Sequence, residues 1–506
     1  MSIIPTIFAS TSSESFEGFG INTLTDKGVT LSNYVNCLTL NWARLHLKSS
    51  DPGVDGIYYT DEGFDNLWLT SEDLVSGKSR FAFSSLQLVH ANVIFTMGND
   101  PTSFLSNNGR NELTGDTLTA YARYWASAVK IHADLGMVVE WVDLCENIQV
   151  CNGSSSYISP SNYVILCDTF KQILANRGIT NVKVISPNIE LFSRSEYNSA
   201  YITAFTGSTS IDAWSIHCLE KKVDLQEYNT GTFHSRKYVY DQARKVTQMM
   251  SITIPGIPIY ITKFTTYSTR YSLGVDYGPV ASEMTEFAIR LADNLCGLLS
   301  AGVSNVIFWY IIKKFDHFSL HRNNGSKRPQ RDFLEIVTKN ISLRGQTFTH
   351  ISDTFPTGDE TMKGLLVDGN AFTLILSRAT LTDAYTGQVS INIQNPLWNA
   401  SMYNITTSFT SFPSYVDTSS IQCIQSIDTG ILTLNLSSVP YNCVIFVKGA
   451  LYETFAAPPP VQYANINIPK VSALPATADE GDIVFYVVNS TLYTFVNTEW
   501  IPIQPA

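Results

Sequence analysis

No run of about 18 consecutive apolar residues occurs in this sequence, so no membrane-spanning helix and no membrane insertion are expected. The opening "MSIIPTIFASTSSESFEGFG" lacks a basic n-region and a long apolar h-region, and no secretory signal peptide is read there. Clustered positive charge is missing too. Lys and Arg number 33 against 44 Asp and Glu, a formal net charge of −11, with no basic tract or stripe. Nucleic acid binding needs such clusters to displace counterions, so nucleic acid is excluded as a partner class. The eight cysteines, Cys37, Cys145, Cys151, Cys167, Cys218, Cys296, Cys423 and Cys443, form no CxxC pair and no zinc spacing. They read as reduced core residues, with no metal site and no cofactor expected.

What is present is enough for several domains. The chain has 506 residues, 44% of them hydrophobic and 12% aromatic, which is more than one ordinary core needs. Short apolar runs recur through the first two thirds: "FGINTLT", "NCLTLNWARLHL", "HANVIFTMG", "MVVEWVDL", "NVKVISPNI", "DAWSIHCL", "IPIYITKF" and "SNVIFWYII". Amphipathic segments alternate with them, among them "SPSNYVILCDTFKQILANRG" and "ASEMTEFAIRLADNLCGLLSAG", each closing on a C-cap glycine. Strand–helix alternation of this length predicts a parallel sheet covered by helices, and eight strands are what a closed (β/α)8 TIM barrel requires. The reading places that barrel over residues 1–345. A helix-free stretch of turn-separated strands, 346–450, predicts a β-sandwich. A Pro-rich linker, 451–470, extended at Pro458-Pro459-Pro460, leads to a small β-module, 471–506, with a two-residue hairpin turn at Asn489-Ser490.

Function in such barrels sits at the C-terminal strand ends. In chain order these ends bring Arg44 and His46, Asn99 and Asp100, Glu146 and Asn147, Glu190, His217 and Glu220, Lys263, then Trp309 and Asp316. One of them is anomalous: the buried-strand run "IPIYITKF" carries a lysine where it meets the mouth.

Several stretches resemble one family. "FEGFGINTLTD", "GMVVEWVDLCEN", "IDAWSIHCL", "PIYITKF" and "GVSNVIFWYII", in this order, resemble the strand motifs of clan A glycoside hydrolases, in their glucosylceramidase-like and xylosidase-like branches. The resemblance implies a general acid/base after the fourth strand and a nucleophile after the seventh, two carboxyls about 5–5.5 Å apart. The first falls on Glu146. The second falls on Lys263, whose ammonium has the wrong charge to attack an anomeric carbon. Cys145 stands where the family's sugar-binding Asn precedes the acid/base, and Leu219 where a Tyr orients the nucleophile. Trp141, Cys145, His217, Trp309, Arg44 and Asn99 are the substrate-binding positions implied. Trp141 and Trp214 also read as plain core, and His217 equally as a satisfied structural histidine.

Three readings follow: a pseudo-glycosidase kept as a glycan-binding or structural surface protein; an active hydrolase pairing Glu146 with an unconventional carboxylate such as Asp316, Glu220 or Glu190; or a purely structural barrel with a plugged mouth. Glu146 and Lys263 are expected to face each other and pair. The tail "LPATADEGDIVFYVVNSTLYTFVNTEWIPI" resembles short β-modules of viral and phage fibre proteins. That resemblance implies a virion-surface or extracellular setting, with virion proteins or a homo-oligomer as partners beside carbohydrate.

Overall fold

The computed structural model describes Thr6–Phe8, most of 16–24, 38–47, 92–97, 113–134, 139–145, 158–221, 236–267, 281–309 and 327–340, and strands between 347 and 502. The linker around Pro458-Pro459-Pro460 lies outside the described residues. Two compact units are present, Met1–Leu451 and Tyr452–Ala506.

In the first unit a strand β1 (Thr6–Phe8) precedes eight strands that close into a barrel: β2 (Gly18–Leu24), β3 (Trp42–Leu47), β4 (Asn92–Met97), β5 (Trp141–Asp143), β6 (Lys183–Glu190), β7 (Ala213–Lys221), β8 (Ile259–Tyr267) and β9 (Asn305–Phe308). Every ladder is parallel, and β9 returns to pair with β2. Helices α1 (Gly115–Asp134), α2 (Pro160–Asn176), α3 (Ser195–Ala204), α4 (Arg236–Thr253), α5 (Ala281–Ser300) and α6 (Pro329–Asn340) run between and after the strands. This is a (β/α)8 arrangement. Local chemistry fixes the helix ends: the Ser159 hydroxyl caps α2 by accepting from the Asn162 N–H at 3.4 Å, and Gly178 follows its C-terminus at φ +75°.

Strand alternation divides the apolar residues between two layers. Outward residues such as Val142, Val184, Ile216 and Ile261 pack beneath the helices with Trp125, Tyr163, Phe170 and Leu295. Inward, the N-terminal floor of the barrel is filled by Trp42, Ile94, Trp141, Ile185, Ala213, Tyr260 and Ile307. Trp42, Trp141 and Tyr260 meet there with ring centroids 5.1–5.8 Å apart. Among the described residues, Cys145, Cys167, Cys218 and Cys296 are buried in the apolar core.

The second glycine of the opening motif makes room for this floor. A Cβ on Gly20 would lie 2.7 Å from both the Cβ and the carbonyl oxygen of Trp42. Backbone cannot retreat as a flexible side chain does, so Gly20→Ala is expected to destabilise the barrel by about 1–3 kcal/mol. An unchanged urea midpoint would show that the floor has slack.

Beyond the barrel, five strands order as Thr347–His350, Thr361–Asp368, Ala371–Arg378, Cys443–Leu451 and Tyr403–Ser411. A second sheet orders as β1, Gly387–Gln394, Ile431–Val439 and Gln422–Asp428. Helix α5 runs beside the first three strands of the five-stranded sheet. The N-terminal β1 thus belongs to a sheet built mainly from distant residues, pairing parallel with Asn392–Gln394.

The second unit carries Lys470–Val471, Ile483–Tyr486, Thr491–Val496 and Glu499–Pro502 in one sheet, in that order. The expected hairpin pairs antiparallel up to Tyr486 opposite Thr491; Asn489-Ser490, expected as its turn, lies outside the described residues.

Candidate active site

Two residues above the floor on six of the strands, the barrel interior turns polar. Trp42 is followed by Arg44, Ile94 by Thr96, Trp141 by Asp143, Ala213 by Ser215, Tyr260 by Thr262 and Gly20 by Asn22, all buried. Arg44 forms a fully buried ion pair with Asp143 and also donates to the Thr96 hydroxyl at 3.1 Å and the Asn22 carbonyl at 3.4 Å. The Asn22 amide donates to the backbone carbonyls of Thr262 and Phe308, which ties β2 to β8 and β9. Burial pushes the Asp143 carboxyl above the usual carboxylate range. The charge and hydrogen bond of Arg44, the hydrogen bond of Asn188 and the charge of Lys263 oppose that push.

Two register breaks re-aim the next residues. Between Ser186 and Ile189, β6 spends three steps where β7 spends two, and Asn188 takes a left-handed conformation at φ +59°. Between Ile261 and Phe264, β8 does the same against β9, and against β7 the break comes between Ile216 and His217. A bulge of this kind turns a side chain away from strict alternation. It lets consecutive residues Thr262 and Lys263 both serve the interior: Thr262 donates to the Asn188 carbonyl at 3.1 Å, and the Lys263 ammonium lies over an indole. That indole is Trp309, with the Lys263 Nζ 4.3 Å from its ring centroid. The Trp309 N–H bonds to the Phe264 carbonyl at 3.0 Å, so the backbone brings the pair together. His217 lies opposite Lys263 in the ladder. Lys263, Trp309 and His217 are 2%, 6% and 1% exposed.

The structure therefore gathers Lys263, His217 and Trp309 at the mouth. Three other expected positions lie away from this group. Trp141 lies in the floor layer at the start of its strand, packed on Trp42 and Tyr260, as its reading as core has it. Arg44 is fully buried in a network with Asp143, one layer above the floor. Cys145 is buried in the apolar cluster beneath the helices, and it is its carbonyl that takes part in the network, accepting from the Asn188 amide. Glu146, Asn99 and Asp316 lie outside the described residues, and so does the expected pairing of Glu146 with Lys263. Leu219 and Glu190 are half-buried. Asp143, Asn188 and Thr262 are the residues the sequence reading missed; Asp143 was within reach, being the second inward position of "WVD".

No family model matches the sequence, and no curated protein matches it. Solved structures do. A glycoside hydrolase family 30 subfamily 8 xylanase from Clostridium acetobutylicum superposes with a TM-score of 0.59 at 13% identity, over 88% of this chain and 99% of that one. SrfJ from Salmonella typhimurium gives 0.58 at 12%, over 88% and 93%. A GH39 enzyme from Xanthomonas axonopodis pv. citri gives 0.51 at 13%, over 89% and 98%. At these identities the likeness is one of fold: the chain has the architecture of these glycoside hydrolases.

Proposed function

We propose that this chain is a glycoside-hydrolase-like protein that no longer performs retaining hydrolysis and serves as a glycan-binding or structural surface protein. The observation that carries the reading is the Lys263 ammonium, at the family's nucleophile position, resting against Trp309 with both side chains buried. Retaining chemistry needs a carboxylate there to form the glycosyl-enzyme bond, and an ammonium neither attacks the anomeric carbon nor stabilises its positive charge. The cation also covers a face of the indole on which a sugar would stack. The inward carboxylate of Asp143 is held by Arg44 and Asn188, and the half-buried Glu190 pairs in the ladder with His217.

In the same reading the two sheets of 347–451 form a sandwich, and the tail unit docks on a partner subunit or particle at a virion surface or outside a cell. Strands of two to six residues in a four-stranded sheet bury little by themselves, which favours such docking.

The test is a panel of aryl glycosides and polysaccharides, xylan included. The expected result is no turnover above buffer, and none removed by Glu146→Gln. Turnover that Glu146→Gln abolishes would establish the active-hydrolase alternative. A glycan array then separates the two remaining roles: hits lost in Trp309→Ala assign binding to the mouth, and an empty array assigns a scaffold.

A further inference from the structure

We propose that Asn188 is a positioning residue: its one amide group ties Asp143 and Cys145, at the end of β5, to Thr262 of β8, and thereby holds the Lys263 ammonium on Trp309. Its side-chain nitrogen donates to the Cys145 carbonyl, immediately before Glu146, and to the Asp143 carboxylate. Its side-chain oxygen accepts from Thr262, immediately before Lys263, at 3.1 Å. Its own N–H donates to the Ser215 hydroxyl at 2.6 Å, two residues before His217. Asn188 is 1% exposed. Three strands, β5, β7 and β8, are thus bonded to a single residue of β6, and three of its partners lie one or two residues before a candidate site position.

The local backbone is shaped for this. Asn tolerates the left-handed region better than most residues, and the register break in β6 turns its side chain inward at the level of the β8 bulge. Buried hydrogen bonds of this kind are rigid, because each broken one leaves a polar group unsatisfied. Without the amide, Thr262 loses its acceptor and the Cys145 carbonyl loses its donor. The β8 bulge then has nothing in the barrel interior holding its hydroxyl, and Lys263 follows Thr262.

The inference rests on the reading of 146 and 263 as the acid/base and nucleophile positions, but its test reads geometry and not hydrolysis. Protons on the Lys263 ε-carbon lie near the indole face and resonate upfield of solvent-exposed lysines. The experiment uses the full chain with lysine labelled at the ε-carbon, the signal being assigned by its loss in Lys263→Arg. Asn188→Gly removes the amide while keeping a residue that accepts φ +59°, so it adds no backbone strain. Thr262→Val removes one bond at nearly constant volume and is the milder variant should the glycine fail to fold. Leu174→Ala, a buried change in α2, supplies matched destabilisation elsewhere.

The expected result is that the Lys263 signal loses more than half of its upfield displacement in Asn188→Gly and in Thr262→Val, and keeps it in Leu174→Ala. A signal unmoved in folded Thr262→Val or Asn188→Gly overturns the proposal, whatever the glycoside panel shows. Turnover in that panel would overturn the functional reading and leave this one standing.

Discussion

Asp143→Ala is expected to lower the unfolding free energy by about 3–5 kcal/mol, among the largest effects of any single substitution in the barrel. The carboxylate holds three partners: it accepts from Arg44, from Asn188 and from Thr96, the last at 3.3 Å. Removing it takes away the carboxylate paired with the Arg44 guanidinium, 0% exposed, in a low-dielectric interior. Arg44→Met alone should have a comparable effect for the mirror-image reason. Arg44→Met combined with Asp143→Leu should restore much of the loss, because a pair of well-packed apolar residues carries no desolvation penalty. Urea unfolding of the four chains gives the coupling directly. A loss under about 1 kcal/mol for Asp143→Ala would mean that the pair is wet, the range of exposed ion pairs.

Much of the barrel is legible in the sequence because a parallel strand buried on both faces must be written as an apolar, β-branched run. "HANVIFTMG" contains β4, "NVKVISPNI" most of β6, and "SNVIFWYII" β9. Height inside the barrel is harder to read. Alternation says that Trp141, Asp143 and Arg44 face inward, but not which end of the barrel each occupies. Strand rise supplies that: Trp141 opens β5 in the floor layer, and Asp143 stands two residues, about 6–7 Å, above it. The same step pairs Arg44 with Asp143, each two residues above a floor tryptophan.

The bulges were not legible. "SPN" reads as turn chemistry, and nothing in "YITKF" says that two successive residues will face the same way. Those two irregularities decide which side chains meet at the mouth, so the grouping of Lys263 with Trp309, and the role of Asn188, emerged only with the backbone in place. Strand β1 was missed for another reason: three residues carry no usable period, and its partner strand is almost four hundred positions away.

Lys263→Glu is the second large effect expected, and it bears on the proposed absence of hydrolysis. On the proposed reading it puts a carboxyl at the nucleophile position, among residues that here surround a cation. Lys263 is one of the charges that favour ionised Asp143. A glutamate in its place reverses that contribution, sets a second acid into the same buried space and replaces an attraction to the Trp309 face by a repulsion. Stability should fall by about 2–4 kcal/mol near neutral pH, as for a buried group made uncompensated. The loss should shrink on acidification. The new carboxyl holds its proton more tightly folded than unfolded, so its folded pKa is raised. Its penalty is absent below the unfolded value and grows as pH rises through the ordinary carboxylate range. Glycosidase activity should not return, because Cys145 turns its thiol into the apolar cluster and Leu219 has no hydroxyl to orient a nucleophile. Two measurements decide this: urea midpoints of the variant at acid and neutral pH, and its turnover on aryl glycosides. Strong hydrolysis from this single change would mean that the barrel stands one substitution from an active enzyme, and the reading of a non-hydrolytic mouth would fall.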